Sequence, residues 1–406
     1  MKYIVVLGDG MADEPLEALG GVTPLAYAST PVMDALASAG ELGLVRTVPP
    51  SMKPGSDVAN LAVLGYDPER NYSGRSPLEA LSVGAPMDAG DIVFRCNLVT
   101  LTEEEPYENK RILDHSSGEI STEDADILMN AVRAEFQREG LRFYTGTSYR
   151  HITIWQNGHL LELEPPHDHL GEGIGSYLPT EPLFREMMAR SFDVLNNHPL
   201  NEKRAAAGLN KANSLWFWGA GTKPSLEGFY EKRGLQGVMI SAVDLLKGIA
   251  VGAGMAVAEV SGATGSLHTN YEGKAQAAIH ALLEEGKDFA YIHLEGPDEM
   301  GHQGITADKV QSIEWLDSRV LAPVKQAMDE SGEPYRILLL PDHPTPIRCR
   351  THTADPVPYV IFDSTQLRNT GRRYSEAEAA ATGVFVTEGY TLMDRFLGGS
   401  DNGKSV

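Results

Sequence analysis

Residues 3–10, YIVVLGDG, are the strongest indication of the fold class. It joins a run of apolar residues to a glycine, an aspartate and a second glycine. A near-continuous run of valine, isoleucine and leucine is typical of a strand that is buried on both faces of a parallel sheet. In open sheets of this kind, ligands bind at the carboxyl ends of the strands. We therefore predict a buried strand here, with Asp9 at the edge where a ligand binds.

The same pattern recurs along the chain and sets the fold class. Stretches with helical patterns, such as 274–286 and 308–332, lie between the apolar runs. Alternating strands and helices predict an α/β fold in which a mostly parallel sheet is flanked by helices. The further predicted strands are SLWFWG (214–219), GVMIS (237–241), FAYIHLEG (289–296), RILLLPD (336–342) and VPYVIF (357–362).

A different pattern occupies residues 91–205. It reads as the strand IVFRCNLVTL, a helix, the strand segment LRFYTGTSYRHITIW, and a second helix. Such a block with its own apolar faces predicts a smaller α+β domain inserted into the first one. The first domain is then discontinuous, formed by residues 1–90 and 206–406.

Composition and charge exclude several classes of function. The 406 residues carry a formal net charge of −22, so the chain lacks the basic surface of a nucleic-acid-binding protein and is not expected on anionic membranes. No apolar run has the length of a membrane-spanning helix, and the first residues do not resemble a signal peptide. The two cysteines provide no disulfide framework, which suits the reducing cytoplasm.

Aspartates and histidines follow three of the predicted strands and should converge at one edge of the sheet. Each of them alone has an ordinary explanation, as a turn residue, a helix cap or a surface pair. As a set in one α/β chain, they predict a metal site. The candidate ligands are Asp9, Asp298 with His302 in GPDEMGH, Asp342 with His343 in LLPDH, and His352 in THTADPVP.

The spacing of these residues limits how they can bind metal. Asp298 and His302 are four residues apart, so on a helical turn opened by Pro297 they share one face and can bind one ion. Asp342 and His343 are adjacent and point in different directions, which suits either two neighbouring ions or one ion and a supporting residue. Carboxylates mixed with imidazoles favour Mn²⁺ or Zn²⁺, and the lack of thiolates argues against a structural zinc site.

A single serine, Ser56, lies in the segment KPGSDVANLAVLG, between a turn and a helix. Such a serine is either a helix N-cap or a nucleophile at a helix N-terminus. The GDGMAD segment lacks the third glycine of a dinucleotide-binding loop, and no phosphate-binding P-loop is visible. The residues alone leave both interpretations of Ser56 open.

Taken together, the motifs resemble one known family across the whole chain. VVLGDGMAD, KPGSDVANLAVLGYDP, GRSPLEA, GPDEMGH, LLPDH and THTADPVP are similar, in this order, to segments of the archaeal-type, cofactor-independent phosphoglycerate mutases of the alkaline phosphatase superfamily. The resemblance implies an alkaline-phosphatase-like core, with an inserted domain that closes over it. It also favours the nucleophile interpretation of Ser56, which would become phosphoserine.

The resemblance further implies a division of the ligands between two ions. One ion would be bound by Asp298, His302 and His352, and the other by Asp9, Ser56, Asp342 and His343. The sequence departs from the family where PDHP replaces the common ADHG. For the catalytic lysine, Lys247 in DLLKGIAVGAGM is the first choice and Lys274 in YEGKAQ is the alternative.

The implied reaction is the interconversion of 3-phosphoglycerate and 2-phosphoglycerate without bisphosphoglycerate. It would use two divalent ions, with Mn²⁺ first and Mg²⁺, Zn²⁺ or Co²⁺ as alternatives, and a small phosphorylated substrate. Bidentate arginines suit the carboxylate and phosphate of that substrate. The substrate-binding candidates are Arg75 and Arg150, assisted by His151, His167 and His169.

Three other functions fit parts of the pattern. A relative resembling an alternative homoserine kinase would pass phosphate to a different hydroxyl. A metal-dependent phosphatase or a phosphopentomutase would use the same core, and the phosphatase would release phosphate to water. A non-catalytic metabolite-binding protein would lack the metal ligands. The sequence leaves the oligomeric state open.

Overall fold

The computed structural model describes residues 1–398, which form two compact units. The second unit is Ser73–Pro224, and the first unit combines Met1–Tyr72 with the chain from Ser225 onward. The strands of the described residues are β1 (Lys2–Gly8), β2 (Glu41–Val45), β3 (Ile92–Leu101), β4 (Ile112–Asp114), β5 (Leu141–Tyr144), β6 (Arg150–Trp155), β7 (Ser214–Thr222), β8 (Gly237–Ile240), β9 (Ala256–Val257), β10 (Phe289–Leu294), β11 (Tyr335–Leu340), β12 (Val357–Asp363) and β13 (Phe385–Val386).

The helices account for most of the remaining regular structure. Among residues 1–398, no helix combines the length and the apolar character needed to span a membrane. The α-helices are α1 (Pro24–Tyr27), α2 (Pro31–Ala39), α3 (Ser56–Val63), α4 (Pro68–Asn71), α5 (Arg75–Ser82), α6 (Thr122–Phe136), α7 (Pro182–Asn196), α8 (Pro199–Ala206), α9 (Phe229–Arg233), α10 (Asp244–Gly252), α11 (Tyr271–Leu283), α12 (Gly296–Gln303), α13 (Thr306–Leu316), α14 (Ala322–Ser331), α15 (Glu376–Ala380) and α16 (Leu392–Leu397).

The first unit is built on an eight-stranded sheet in the order β13-β2-β12-β11-β1-β10-β8-β9. Strand β1 is parallel to both β10 and β11, and among the described strands of this sheet only β12 pairs antiparallel with its neighbours. The residues from Ile4 to Leu7 are fully buried, as expected for a strand with helices on both faces. The predicted α/β fold with a mostly parallel sheet flanked by helices is confirmed.

The second unit has a five-stranded sheet, in which β3 pairs antiparallel with β4, β6 and β7. Helices α6 and α7 bury apolar side chains such as Leu128 and Phe184 in the same core as Trp216 of β7. The prediction that SLWFWG belongs to the large parallel sheet was wrong, because this segment is β7 and pairs with β3. An apolar run indicates burial, but it does not reveal which sheet supplies the partner strand.

The bounds of the second unit differ from the predicted 91–205. The unit begins earlier because α5 contacts both β3 and β7, and it ends later because β7 runs along β3 as far as Thr222. The backbone N–H of Thr222 donates to the carbonyl of Ser73 at 3.1 Å, so the two ends of the unit lie side by side.

Candidate active site

The first group of candidate ligands meets at the carboxyl edge of the large sheet. Asp9 follows β1, while Asp342 and His343 follow β11, the parallel neighbour of β1. Nε2 of His343 lies 3.5 Å from Oδ1 of Asp9 and 3.4 Å from Oδ2 of Asp342. The backbone N–H of Gly10 donates to Oδ1 of Asp342 at 3.1 Å, which fixes that carboxylate beside Asp9.

The second group lies next to the first one. Asp298 and His302 lie on α12, with Nε2 of His302 3.2 Å from Oδ2 of Asp298, as their spacing predicted. Nε2 of His352 lies 3.0 Å from Nε2 of His302 and 3.5 Å from Oδ1 of Asp298. The rings of His343 and His352 have their centres 4.1 Å apart, so the two groups form one continuous cluster.

The cluster has the composition and the electrostatics of a site for cations. The ligand atoms of Asp9, Asp342 and His343 lie within 4.8 Å of one another, and so do those of Asp298, His343 and His352. Oδ1 of Asp9 is buried and accepts no hydrogen bond from the described part of the chain. Burial, followed by the charges of Asp342 and Asp298, raises the pKa of Asp9 well above its ordinary value. Divalent cations would relieve this crowding of carboxylates, so the residues present fit metal ions.

Ser56 reaches the same cluster from the N-terminus of α3. Its Oγ lies 3.1 Å from Nε2 of His343 and 3.5 Å from Oδ2 of Asp9. The N-cap position of α3 is occupied by Gly55, and no side chain makes a capping hydrogen bond there. The hydroxyl of Ser56 therefore does not cap the helix, and it lies instead against the candidate ligands.

Several residues that the sequence analysis did not single out hold this cluster in place. Nε2 of His293, on β10, lies 2.8 Å from Oδ2 of Asp9. Nδ2 of Asn60 donates to Oδ2 of Asp342 at 3.0 Å, and the hydroxyl of Tyr291 donates to Oδ1 of Asn60 at 2.6 Å. A polar residue inside an apolar strand, such as His293 in FAYIHL, was the available signal for this role.

The two candidate lysines occupy different environments. Nζ of Lys247 pairs with the exposed carboxylate of Glu259 at 3.0 Å. Lys274 is fully buried, and its Nζ donates to the carbonyl of His293 at 3.0 Å. Burial lowers the pKa of Lys274 to about 8. Lys274 is thus connected to Asp9 through His293, whereas Lys247 forms a surface ion pair.

Within the second unit, arginines gather around Glu79. Nε of Arg75 lies 2.9 Å from Oε1 of Glu79, and Nε of Arg95 lies 2.8 Å from Oε2. Burial alone would raise the pKa of Glu79, but the charges of Arg95, Arg75 and Arg150 lower it below its ordinary value. The guanidinium of Arg95 also lies over the ring of Trp218, 4.7 Å from its centre. Arg95 belongs to this cluster although the sequence analysis did not single it out.

Of the three candidate histidines of the second unit, His167 lies beside the arginine cluster, whereas His151 and His169 make other contacts. His151 is buried in β6, where Nδ1 accepts from the N–H of Gly146, and burial lowers its pKa to about 3. His169 stacks on Tyr177 with ring centres 3.8 Å apart. His167 packs edge-on against Trp218, the ring that Arg95 covers, with centres 5.3 Å apart.

The family model and the curated relatives that match this chain carry the same description. Residues 37–201 match the family model described as 2,3-bisphosphoglycerate-independent phosphoglycerate mutase. A Geobacter sulfurreducens protein named "Probable 2,3-bisphosphoglycerate-independent phosphoglycerate mutase" is 48% identical, over 98% of this chain and 100% of that protein. The Methanosarcina mazei 2,3-bisphosphoglycerate-independent phosphoglycerate mutase is 49% identical, over 89% of this chain and 90% of its own.

Two solved structures superpose on nearly the whole chain. A cofactor-independent phosphoglycerate mutase from Thermoplasma acidophilum superposes with a TM-score of 0.65 at 26% identity, covering 98% of this chain and 99% of that chain. A protein from Pyrococcus horikoshii superposes with a TM-score of 0.81 at 29% identity, covering 100% of this chain and 99% of that chain.

Proposed function

Because the chain belongs to the family of 2,3-bisphosphoglycerate-independent phosphoglycerate mutases, we propose that Ser56 carries the phosphoryl group during its reaction. The chain is an isomerase that interconverts 3-phosphoglycerate and 2-phosphoglycerate, and it does so without bisphosphoglycerate. Its two cysteines are unpaired, which supports a location in the reducing cytoplasm.

The position of the Ser56 hydroxyl is the observation that carries this proposal. Its Oγ lies within 3.5 Å of Asp9 and His343, at the first residue of α3, and makes no capping bond. A free serine hydroxyl is a weak nucleophile at neutral pH and needs activation. The backbone N–H groups at the start of α3 favour an anion such as a phosphate at the same place.

The reaction proceeds in two transfers that use the same serine. Oγ of Ser56 attacks the phosphorus of 3-phosphoglycerate, the new Oγ–P bond forms, and the bond from phosphorus to the glycerate oxygen breaks. The released oxygen gains a proton as Ser56 loses its own. Glycerate then turns, its other hydroxyl attacks the phosphoserine, and the hydroxyl of Ser56 is restored. Water must be excluded meanwhile, because hydrolysis of phosphoserine would release phosphate.

The metal centre is assigned to the clustered ligands. Asp9, Ser56, Asp342 and His343 would hold one ion, and Asp298, His302 and His352 would hold a second. Bound divalent ions lower the pKa of a coordinated hydroxyl and neutralise phosphate oxygens. Mn²⁺ is the ion we propose, because the donors combine carboxylates with imidazoles.

The second unit supplies cations for the anionic substrate. Arg75 and Arg95 pair with the same carboxylate, that of Glu79. The positive charge of Arg150 also lowers the pKa of Glu79. Planar guanidinium groups bind carboxylates and phosphates through two parallel hydrogen bonds. We therefore propose that Arg75, Arg95 and Arg150 bind the substrate, with His167 beside them. We do not assign substrate binding to His151, which is buried in the sheet, or to His169, which is stacked on Tyr177.

The decisive experiment follows 3-phosphoglycerate by phosphorus NMR in the absence of bisphosphoglycerate. The protein is stripped with a chelator and then receives Mn²⁺, Mg²⁺ or Zn²⁺ singly. We expect 2-phosphoglycerate to form with Mn²⁺ in the wild type and not in Ser56→Ala. Ser51→Ala is the matched control, because Ser51 lies in the loop that precedes α3 and its hydroxyl donates to the surface residue Glu69.

The other outcomes of this experiment have definite meanings. Equal turnover in Ser56→Ala and the wild type would exclude Ser56 as the phosphoryl carrier. Formation of inorganic phosphate alone would mean that the chain acts as a phosphatase. Full activity after exhaustive metal removal would contradict the metal centre.

A further inference from the structure

A buried threonine, Thr345, connects the two groups of candidate ligands. It lies in the loop after β11, two residues beyond His343, and is fully buried. Its hydroxyl donates to Oδ1 of Asp298 through a short hydrogen bond. The same Oγ1 lies 3.3 Å from Nδ1 of His343. One hydroxyl thus contacts a ligand from each group.

The chemistry of the three groups fixes the direction of these hydrogen bonds. A hydroxyl has one proton to donate, and an ionised carboxylate can only accept. Thr345 therefore donates to Asp298, and its remaining lone pairs can accept the proton on Nδ1 of His343. This arrangement selects the His343 tautomer that is protonated at Nδ1. The lone pair of Nε2 is then directed to the side where Ser56 lies, 3.1 Å away.

The backbone of Thr345 is itself held in place. Its carbonyl accepts from the buried ammonium of Lys309 at 2.8 Å, and its N–H donates to the carbonyl of Ala12 at 3.3 Å. Lys309 also pairs with the carboxylate of Asp13 at 2.8 Å. The second aspartate of GDGMAD thereby helps to fix the loop that carries Thr345.

The space around the Thr345 hydroxyl is also restricted. Gly10 has a φ of +60°, and a Cβ on it would lie 2.5 Å from both Oγ1 of Thr345 and Oδ1 of Asp298. A side chain at this position would therefore disturb the contact between Thr345 and Asp298. Only glycine leaves room for this close approach.

We propose that Thr345 is a positioning residue that orients one ligand of each metal ion, Asp298 for one and His343 for the other. This inference rests on the metal centre of the proposed function. Groups that orient metal ligands typically change metal affinity or activity by about 10–100-fold when they are removed. Because the hydroxyl serves both ligands, its loss weakens the binding of both ions and not of one alone.

The test measures Mn²⁺ binding to the metal-free protein by calorimetry and equilibrium dialysis, without any substrate. Thr345→Val removes the hydroxyl and keeps the shape of the side chain, whereas Thr345→Ser keeps the hydroxyl. We expect both Mn²⁺ affinities to fall by about 10–100-fold in Thr345→Val and to recover in Thr345→Ser. Thr30→Val is the matched control, because Thr30 is buried and its hydroxyl has no hydrogen-bond partner among residues 1–398.

Wild-type affinities in Thr345→Val would overturn the proposal, and so would the loss of one ion with the other unchanged. Should Thr345→Val fail to fold, nitrogen-15 NMR of the wild-type histidines decides the question. We expect His343, assigned by its loss in His343→Gln, to be protonated at Nδ1, and protonation at Nε2 would overturn the inference. A wild type that binds no Mn²⁺ would instead refute the metal centre itself, together with the role of Thr345.

Discussion

At the residue scale, burial distinguishes two lysines that the sequence could not separate. Lys247 has a side chain that is 19% exposed and is paired with Glu259, while Lys274 is fully buried. The ammonium of Lys274 donates to the carbonyl of His293, whose ring lies 2.8 Å from Asp9. Removing a buried charge such as that of Lys274, which contacts His293 and through it Asp9, should therefore reduce activity more than removing a charge from an exposed ion pair.

We therefore expect Lys274→Met to lower kcat/KM by about 10–100-fold, and Lys247→Met, its matched control, to lower it by less than about 3-fold. Because the pKa of Lys274 is about 8, its charge is lost as the pH rises through 8. The alkaline fall in kcat/KM should accordingly begin near pH 8 and move to higher pH in Lys274→Arg. The measurement is a kcat/KM profile from about pH 6.5 to 9.5. Equal losses in the two methionine variants would contradict this assignment.

At the element scale, the long helical pattern predicted over 308–332 is interrupted. Helix α13 ends at Leu316, a π-helical turn covers Asp317–Leu321, and α14 begins at Ala322. Pro323 has no N–H and its ring would clash with the carbonyl four residues earlier, which explains a wider turn before it. The buried carboxylate of Asp317 accepts from the N–H groups of Met33 and Val32 and so caps α2.

This cap predicts a measurable dependence of stability on pH. Burial raises the pKa of Asp317 from 3.8 to about 6, although the bonds from Met33 and Val32 oppose the shift. The folded carboxyl thus binds its proton more tightly than the unfolded one. The contribution of Asp317 to the free energy of unfolding is therefore full below about pH 4 and decreases as the pH rises to 6, by roughly 2–3 kcal/mol.

Asp317→Asn should remove this part of the pH dependence because it has no charge to bury. The measurement is urea unfolding of the wild type and the variant between about pH 4 and 7. Their difference isolates Asp317 from the other groups that titrate in this range. Parallel stability curves for the two proteins would show that the folded carboxyl has an ordinary pKa.

At the scale of the whole molecule, the chain contains a unit that should fold independently. Ser73–Pro224 has its own apolar core, and its ends are joined by hydrogen bonds between Ser73 and Thr222. Strand β7 pairs with β3 along most of its length and supplies Trp216 to that core. A fragment of residues 91–205 lacks β7 and leaves an edge of β3 unpaired.

We expect a fragment of residues 73–224 to unfold in urea as a single cooperative transition, with a near-ultraviolet circular dichroism spectrum of ordered tryptophans. The shorter fragment of residues 91–205 is the comparison, and it should show no such transition because its core is incomplete. Cooperative unfolding of both fragments would mean that β7 is dispensable for this unit.

Local sequence patterns predicted the class of the fold and the residue types of the candidate site. Continuous apolar runs predicted β1, β10 and β11, and the spacing of Asp298 and His302 placed both on one helical face. These features are encoded locally, because strand burial and helical periodicity depend on neighbouring residues. The motif order also pointed to the family to which the chain belongs.

Contacts between residues that are far apart in the chain become visible in the folded structure alone. Ser56 and His343 are 287 positions apart, and SLWFWG pairs with β3 and not with the large sheet. Thr345 and Arg95 gain their significance from contacts that no local pattern records. Contacts across such separations depend on the order of the strands in a sheet and on which charged residues are buried next to one another. Both are properties of the folded chain.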